Sequence, residues 1–106
     1  PLRKTFSILN QNNPYNRKSI FMATRIAIVG SSVGLHARPA SIVAEAAAEF
    51  DDEVLLSVDG EEGVDASSVM LIMTLGAEKG AEVTVESDNA DAMNAIADLI
   101  EKDLDA

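Results

Sequence analysis

The sequence predicts a two-layer α+β sandwich, an antiparallel sheet with helices on one face, in the order β-α-β-β-α-β-α. Two patterns carry that expectation. The candidate strands alternate apolar and polar residues, as strands do when one face of their sheet is wet. The segments between them repeat apolar residues three and four apart, as amphipathic helices do when they pack on such a sheet. No internal repeat interrupts the order.

A break in composition marks where this domain begins. Residues 1–21 hold four basic residues (Arg3, Lys4, Arg17, Lys18) and no acidic one. Residues 22–106 hold all eighteen acidic residues against four basic ones, a charge of −14 within the overall −10. All sixteen alanines and all six glycines lie after residue 21, whereas three of the four aromatics lie before it. Residues 1–21 are therefore expected to be an appended extension and 22–106, opening at Met22, the natural domain. Asn10, Asn12, Asn13 and Pro14 would break any amphipathic helix in the extension.

The elements follow in order. Residues 24–29 read as a strand with Ile26 and Ile28 on one face, and Gly30-Ser31-Ser32-Val33-Gly34 as a loop. Residues 39–50 have helical spacing: Ile42, Ala46 and Phe50 stack, Val43 and Ala47 lie beside them, and Glu45 and Glu49 point away. Pro39 suits a first helical position, where its missing N–H is not needed. Residues 53–58 alternate with Val54, Leu56 and Val58 inward, and Asp59-Gly60-Glu61-Glu62-Gly63 is turn chemistry leading to a short strand at Val64. Ser67 or Ser68 is expected to cap a helix running to Leu75, with Gly76 as its left-handed end. Residues 81–86 form a strand with Val83 and Val85 inward. Asp88 or Asn89 then caps a last helix with the stripe Ala92, Met93, Ile96, Leu99 and Ile100.

Composition removes several function classes. A domain of about 85 residues buries roughly 60–65% of its unfolded surface and forms one core. Without cysteine there is no disulfide framework, no thiolate metal site and no thiol nucleophile. No apolar run approaches the roughly 20 residues that span a bilayer, so no membrane insertion is expected. The acidity would repel nucleic acid. A soluble protein of a reducing compartment, the cytoplasm, is expected.

His36 is the sole histidine, in Gly34-Leu35-His36-Ala37-Arg38-Pro39-Ala40-Ser41. It stands just before a helix N-terminus, where free N–H groups and the positive dipole end favour an anion. Arg38 adds a guanidinium. The capping positions hold His, Ala and Arg rather than Ser, Thr or Asp, as though an external anion supplied the cap. A neutral imidazole is a nucleophile near pH 7, and a phosphoryl group on it would be a dianion suited to this position. Taken alone, the residues allow two readings, an ordinary surface histidine or a phosphoryl acceptor. A single histidine without cysteine makes no metal ligand set, and no cofactor is expected.

Gly34-Leu35-His36-Ala37-Arg38-Pro39-Ala40-Ser41 resembles the active-site signature of the HPr family, the histidine-containing phosphocarriers of the bacterial phosphoenolpyruvate:sugar phosphotransferase system. The resemblance runs from about residue 24 to residue 104 and includes Ala66-Ser67-Ser68-Val69-Met70 and Met73-Thr74-Leu75-Gly76. It implies an open-faced sandwich of a four-stranded antiparallel sheet with three helices on one face. It implies phosphorylation of His36 on Nδ1 by enzyme I, then transfer to sugar-specific IIA components. Arg38 would assist, and the backbone N–H groups of Ala37 and Arg38 would hold the phosphate. The chain would be a covalent phosphohistidine intermediate and not itself an enzyme. The family's non-carrier paralogue lacks this histidine, which is present here.

Val69-Met70-Leu71-Ile72-Met73 is apolar all round. Either all five residues are core, or Ile72 and Leu75 turn inward and leave Met70, Leu71 and Met73 as an exposed docking patch. Family members dock enzyme I and IIA domains with the corresponding helix, so Val69, Met70, Leu71 and Met73 are the candidate docking residues. Ser68 occupies the position of the family's regulatory serine, and a phosphoserine at a helix start is electrostatically tolerable. The flanks depart from the pattern: no basic residue precedes Ser68, and Leu71 stands where glycine is common. Ser68 is either a cap or a regulatory phosphosite. Two function classes remain: a sugar-transport phosphocarrier, or a regulatory relative in nitrogen or carbon signalling that binds regulatory proteins. An acyl carrier matches in size and charge, but the strands and the absence of Asp-Ser-Leu exclude it.

Overall fold

Every expected element is present in the computed structural model, which describes residues 23–104; the extension expected at residues 1–21 lies outside the described residues. The chain runs β1 (Ala23–Ile28), α1 (Ala37–Ala48), β2 (Val54–Ser57), β3 (Val64–Asp65), α2 (Val69–Thr74), β4 (Glu82–Ser87) and α3 (Ala90–Glu101). The strands make one antiparallel sheet in the order β1-β4-β2-β3. β4 lies between β1 and β2, with Ala27 opposite Val83 and Leu56 opposite Val85, so β1 and β3 are the edges. This is the open sandwich expected from the sequence, with three helices.

The core lies between the sheet and the helices. Ala27, Val54, Leu56, Val83 and Val85 from the sheet meet Val43 and Ala47 of α1, Ile72 of α2, and Ala92, Ile96 and Ile100 of α3, all buried. Ile26 and Ile28 do share a face, but it is the open one: they are 57% and 44% exposed, while Ala27 is buried. A period of two identifies a strand and is silent on which of its faces the helices cover.

α1 begins two residues earlier than its apolar spacing indicates, at Ala37, so Pro39 is its third residue. The first turn has no intrahelical acceptors for its N–H groups, which makes proline as acceptable there as at the first position. Its buried line is Pro39, Ala40, Val43, Ala44 and Ala47, with Ile42, Ala46 and Phe50 only half-buried at its side. In α3, Ala97 takes the fully buried place and Leu99 is half-buried. Of the two possible caps Asn89 is the one used: its Oδ1 accepts from the N–H groups of Asp91 and Ala92 at 2.9 and 3.3 Å.

One polar cluster ties β1 to α3. Arg25 donates to Asn94 Oδ1 at 3.0 Å and pairs with Asp98 at 3.0 Å and Glu101 at 2.9 Å. The second carboxylate oxygen of Glu101 accepts from the Ile28 N–H at 3.4 Å. Among the described residues no helix is long and apolar enough to cross a membrane.

Candidate functional site

The site is built by the turn between β1 and α1. Where β1 ends, Val29 exchanges hydrogen bonds with the 80–81 backbone, donating to Ala81 and accepting from Gly80, both at 2.9 Å. The Gly34 N–H donates to the Ser31 carbonyl at 2.9 Å, closing a turn over residues 31–34. Gly34 has φ +74°, and a Cβ there would stand 2.5 Å from the Ala77 carbonyl oxygen, so only glycine fits. Leu35 is buried and donates its N–H to that same carbonyl at 2.8 Å. The chain thus reaches His36 from a fixed anchor.

His36 is the N-cap of α1, in extended backbone conformation (φ −84°, ψ −168°). Its carbonyl accepts the first helical bond, from the Ala40 N–H at 2.8 Å. Its side chain makes no capping bond, and His36, Ala37 and Arg38 are all exposed. The N–H groups of Ala37 and Arg38 find no acceptor among the described residues, and Pro39 has no N–H to offer. Two peptide donors and the positive end of a twelve-residue helix therefore face solvent beside the imidazole. Arg38 makes no ion pair among the described residues, in contrast to Arg25. The first turn of α1 has no acidic residue to fill the cap from within. The arrangement can accept an anion, and it holds a nucleophile at the same point.

The expected docking helix divides by burial. Ile72 is fully buried, whereas Met70 is 78% exposed and Leu71 and Met73 are each 41% exposed. Val69 is half-buried and packs against the core, which separates it from those three. α2 packs beside α1, and Ala77, two residues past its C-cap Leu75, accepts the bond from Leu35. The chain leaving the patch therefore supports the turn that presents His36. Ser68 is the N-cap of α2, and its hydroxyl accepts from the Leu71 N–H at 3.2 Å. Asp65 holds the neighbouring Ser67 through its N–H at 2.9 Å and its hydroxyl at 2.7 Å.

Local reading missed Arg25 and Ser31. A lone cation in an apolar strand was a signal for the first, since it needs a carboxylate partner. Nothing near Ser31 in sequence signals its contacts, which lie more than 70 residues away.

A four-stranded open sandwich that offers an exposed histidine at an uncapped helix N-terminus defines a class of small phosphocarrier-type domains. The family model described as PTS HPr component phosphorylation site matches residues 23–102. The chain belongs to the HPr family, the phosphocarriers of the phosphotransferase system. The crystal structure of phosphocarrier protein HPr from Bacillus anthracis str. Ames is 30% identical, with 74% of this chain and 96% of that one covered and a TM-score of 0.69. HPr-C-His from Thermoanaerobacter tengcongensis is 33% identical, with 74% and 91% covered and a TM-score of 0.68. The Bacillus subtilis catabolite repression protein Crh is 33% identical, with 68% and 85% covered and a TM-score of 0.60.

Proposed function

We propose that the chain is a phosphocarrier that accepts a phosphoryl group on Nδ1 of His36 from phosphorylated enzyme I and passes it to sugar-specific IIA components in the cytoplasm. The observation that carries this reading is the uncapped start of α1, where an exposed imidazole, two N–H groups without an acceptor among the described residues and Arg38 follow one another in the chain. In the step, the imidazole nitrogen forms a bond to phosphorus as the donor's phosphorus–nitrogen bond breaks. Arg38 and the Ala37 and Arg38 N–H groups offset the negative charge on the phosphoryl oxygens. The chain emerges as a covalent intermediate and not as a turnover enzyme. Residues 22–106 form the carrier domain, and 1–21 are an appended extension.

Stabilisation by an exposed helix end is worth about 0.3–1 kcal/mol, rising to about 2 when partly buried. Stabilisation of that size suits a carrier, which has to give its cargo up again. Met70, Leu71 and Met73 form the docking surface for enzyme I and IIA, as exposed adaptable side chains on a helix that packs beside α1. The test is intact mass after incubation with phosphoenolpyruvate and a bacterial enzyme I, followed by brief acid treatment. One acid-labile phosphoryl group, absent from His36→Ala, is the expected result; no adduct on either the full chain or a chain beginning at Met22 refutes the reading.

The likeness to Crh, whose name refers to catabolite repression, favours a second reading as a regulatory relative that binds signalling proteins. A phosphorylated chain that no IIA domain discharges would decide for it. Ser68 is the candidate regulatory phosphosite. If Ser68→Ala is phosphorylated by a lysate with ATP as well as the parent chain is, that role is excluded.

A further inference from the structure

The residues that follow α3 lie against the turn that leads to His36, and Ser31 is the joint between them. Ser31 is fully buried. Its hydroxyl donates to the Lys102 carbonyl at 3.4 Å and accepts from the Leu104 N–H at 3.1 Å. Its own carbonyl accepts the Gly34 N–H that closes the 31–34 turn. One residue earlier, Gly30 donates its N–H to the Ile100 carbonyl at 3.0 Å, and any Cβ at Gly30 would collide with the Glu101 carbonyl. Leu104 packs against the core and fixes the far end of the segment.

These contacts give the turn two supports. Leu35 on Ala77 holds its exit, and Ser31 on residues 102–104 holds its entry. Between them Ser32 and Val33 are exposed. The Ser31 hydroxyl is dispensable for packing, because alanine fills nearly the same volume, yet it meets one donor and one acceptor of a backbone segment 71 to 73 residues away. Without it the entry of the turn keeps the Gly30 bond to the Ile100 carbonyl but loses its tie to residues 102–104, so the turn is held less tightly on the side away from Leu35.

We propose that Ser31 is a positioning residue for phosphoryl acceptance: its hydroxyl joins the 102–104 segment to the 31–34 turn, and that joint sets where His36 stands relative to the N–H groups of Ala37 and Arg38. The inference rests on the reading of His36 as the acceptor. Small displacements of a reacting group reduce rate far more than they reduce stability.

The test compares the wild-type chain with Ser31→Ala, using enzyme I and phosphoenolpyruvate as phosphoryl source and 15N NMR of the His36 imidazole and the Ala37 and Arg38 amides. The expected result is an unchanged KM, since α2 is untouched, and a kcat lower by about fivefold. The resonances of residues 36–38 move, and the Leu104 amide exchanges faster. A chain ending at Lys102 keeps Ser31 but lacks the Leu104 donor, and its 36–38 resonances are expected to move in the same way. Unchanged kcat and unchanged 36–38 resonances in Ser31→Ala, with only Leu104 exchange altered, would overturn the proposal. Stationary 36–38 resonances in the shortened chain would overturn it as well. A wild-type chain that takes no phosphoryl group fails in a different way: it overturns the acceptor reading of His36 and, with it, Ser31's part in acceptance.

Discussion

His36 and Arg38 do little for the fold, so the proposed chemistry and the stability can be tested separately at single positions. Both side chains are exposed, and neither caps α1. His36→Ala should therefore leave the melting temperature unchanged and abolish the acid-labile phosphoryl adduct. Arg38→Ala should slow acceptance by about tenfold, the effect of about 1.4 kcal/mol of lost charge stabilisation, with an unaltered circular dichroism spectrum. Gly30 is the opposite case. Gly30→Ala forces a methyl group into the Glu101 carbonyl, so a thermal melt should show a loss of roughly 1–3 kcal/mol or more. The parts of the candidate site were legible in the sequence because they are consecutive: imidazole, two peptide N–H groups and a guanidinium within three residues. Ser31 was not legible, because its partners are brought to it only by the fold.

At the scale of elements, α2 divides into a buried and an exposed side. Its six residues bury one side chain completely, Ile72, and expose Met70, Leu71 and Met73. Met70→Asp should raise KM for enzyme I while leaving the melting temperature nearly constant, whereas Ile72→Ala should cost about 2–5 kcal/mol of stability. Ser68→Ala removes the hydroxyl that accepts the Leu71 N–H and should lower stability by about 1 kcal/mol, a loss that Ser68→Asp largely restores. The division of this helix was one of two readings open in the sequence, since five apolar residues in a row carry no period. Burial decided it, and it moved Val69 from the patch to the edge of the core. The start of α1 and the outward turn of Ile26 and Ile28 were hidden for a related reason. Proline is tolerated throughout a first turn, and alternation is symmetric between the two faces of a strand. Element order, by contrast, was readable, because periods mark β1, α1, β2, β4 and α3, while the 59–63 turn, the Ser67-Ser68 cap and Gly76 mark β3 and α2.

At the scale of the molecule, charge is the dominant fact. Residues 22–106 carry −14, with only Arg25, Arg38, Lys79 and Lys102 against the eighteen acidic groups. Self-repulsion of that kind is screened over roughly 10 Å at 0.1 M salt and over 3 Å at 1 M. The melting temperature of a chain beginning at Met22 should therefore rise with sodium chloride concentration, and differential scanning calorimetry across that range measures it; a flat response would mean that the acidic groups are too dispersed to strain the fold.

The Arg25 cluster has a consequence for how many such molecules share one solution. β1 is an outer strand with two bare isoleucines, the kind of border onto which a stray extended peptide can add and so start a fibril. The Glu101 carboxylate, steered by Arg25, takes the Ile28 N–H that an incoming peptide would need. One helix side chain thereby plugs one of the donors along that border, a partial guard against strand addition supplied by a residue 73 positions away in the chain.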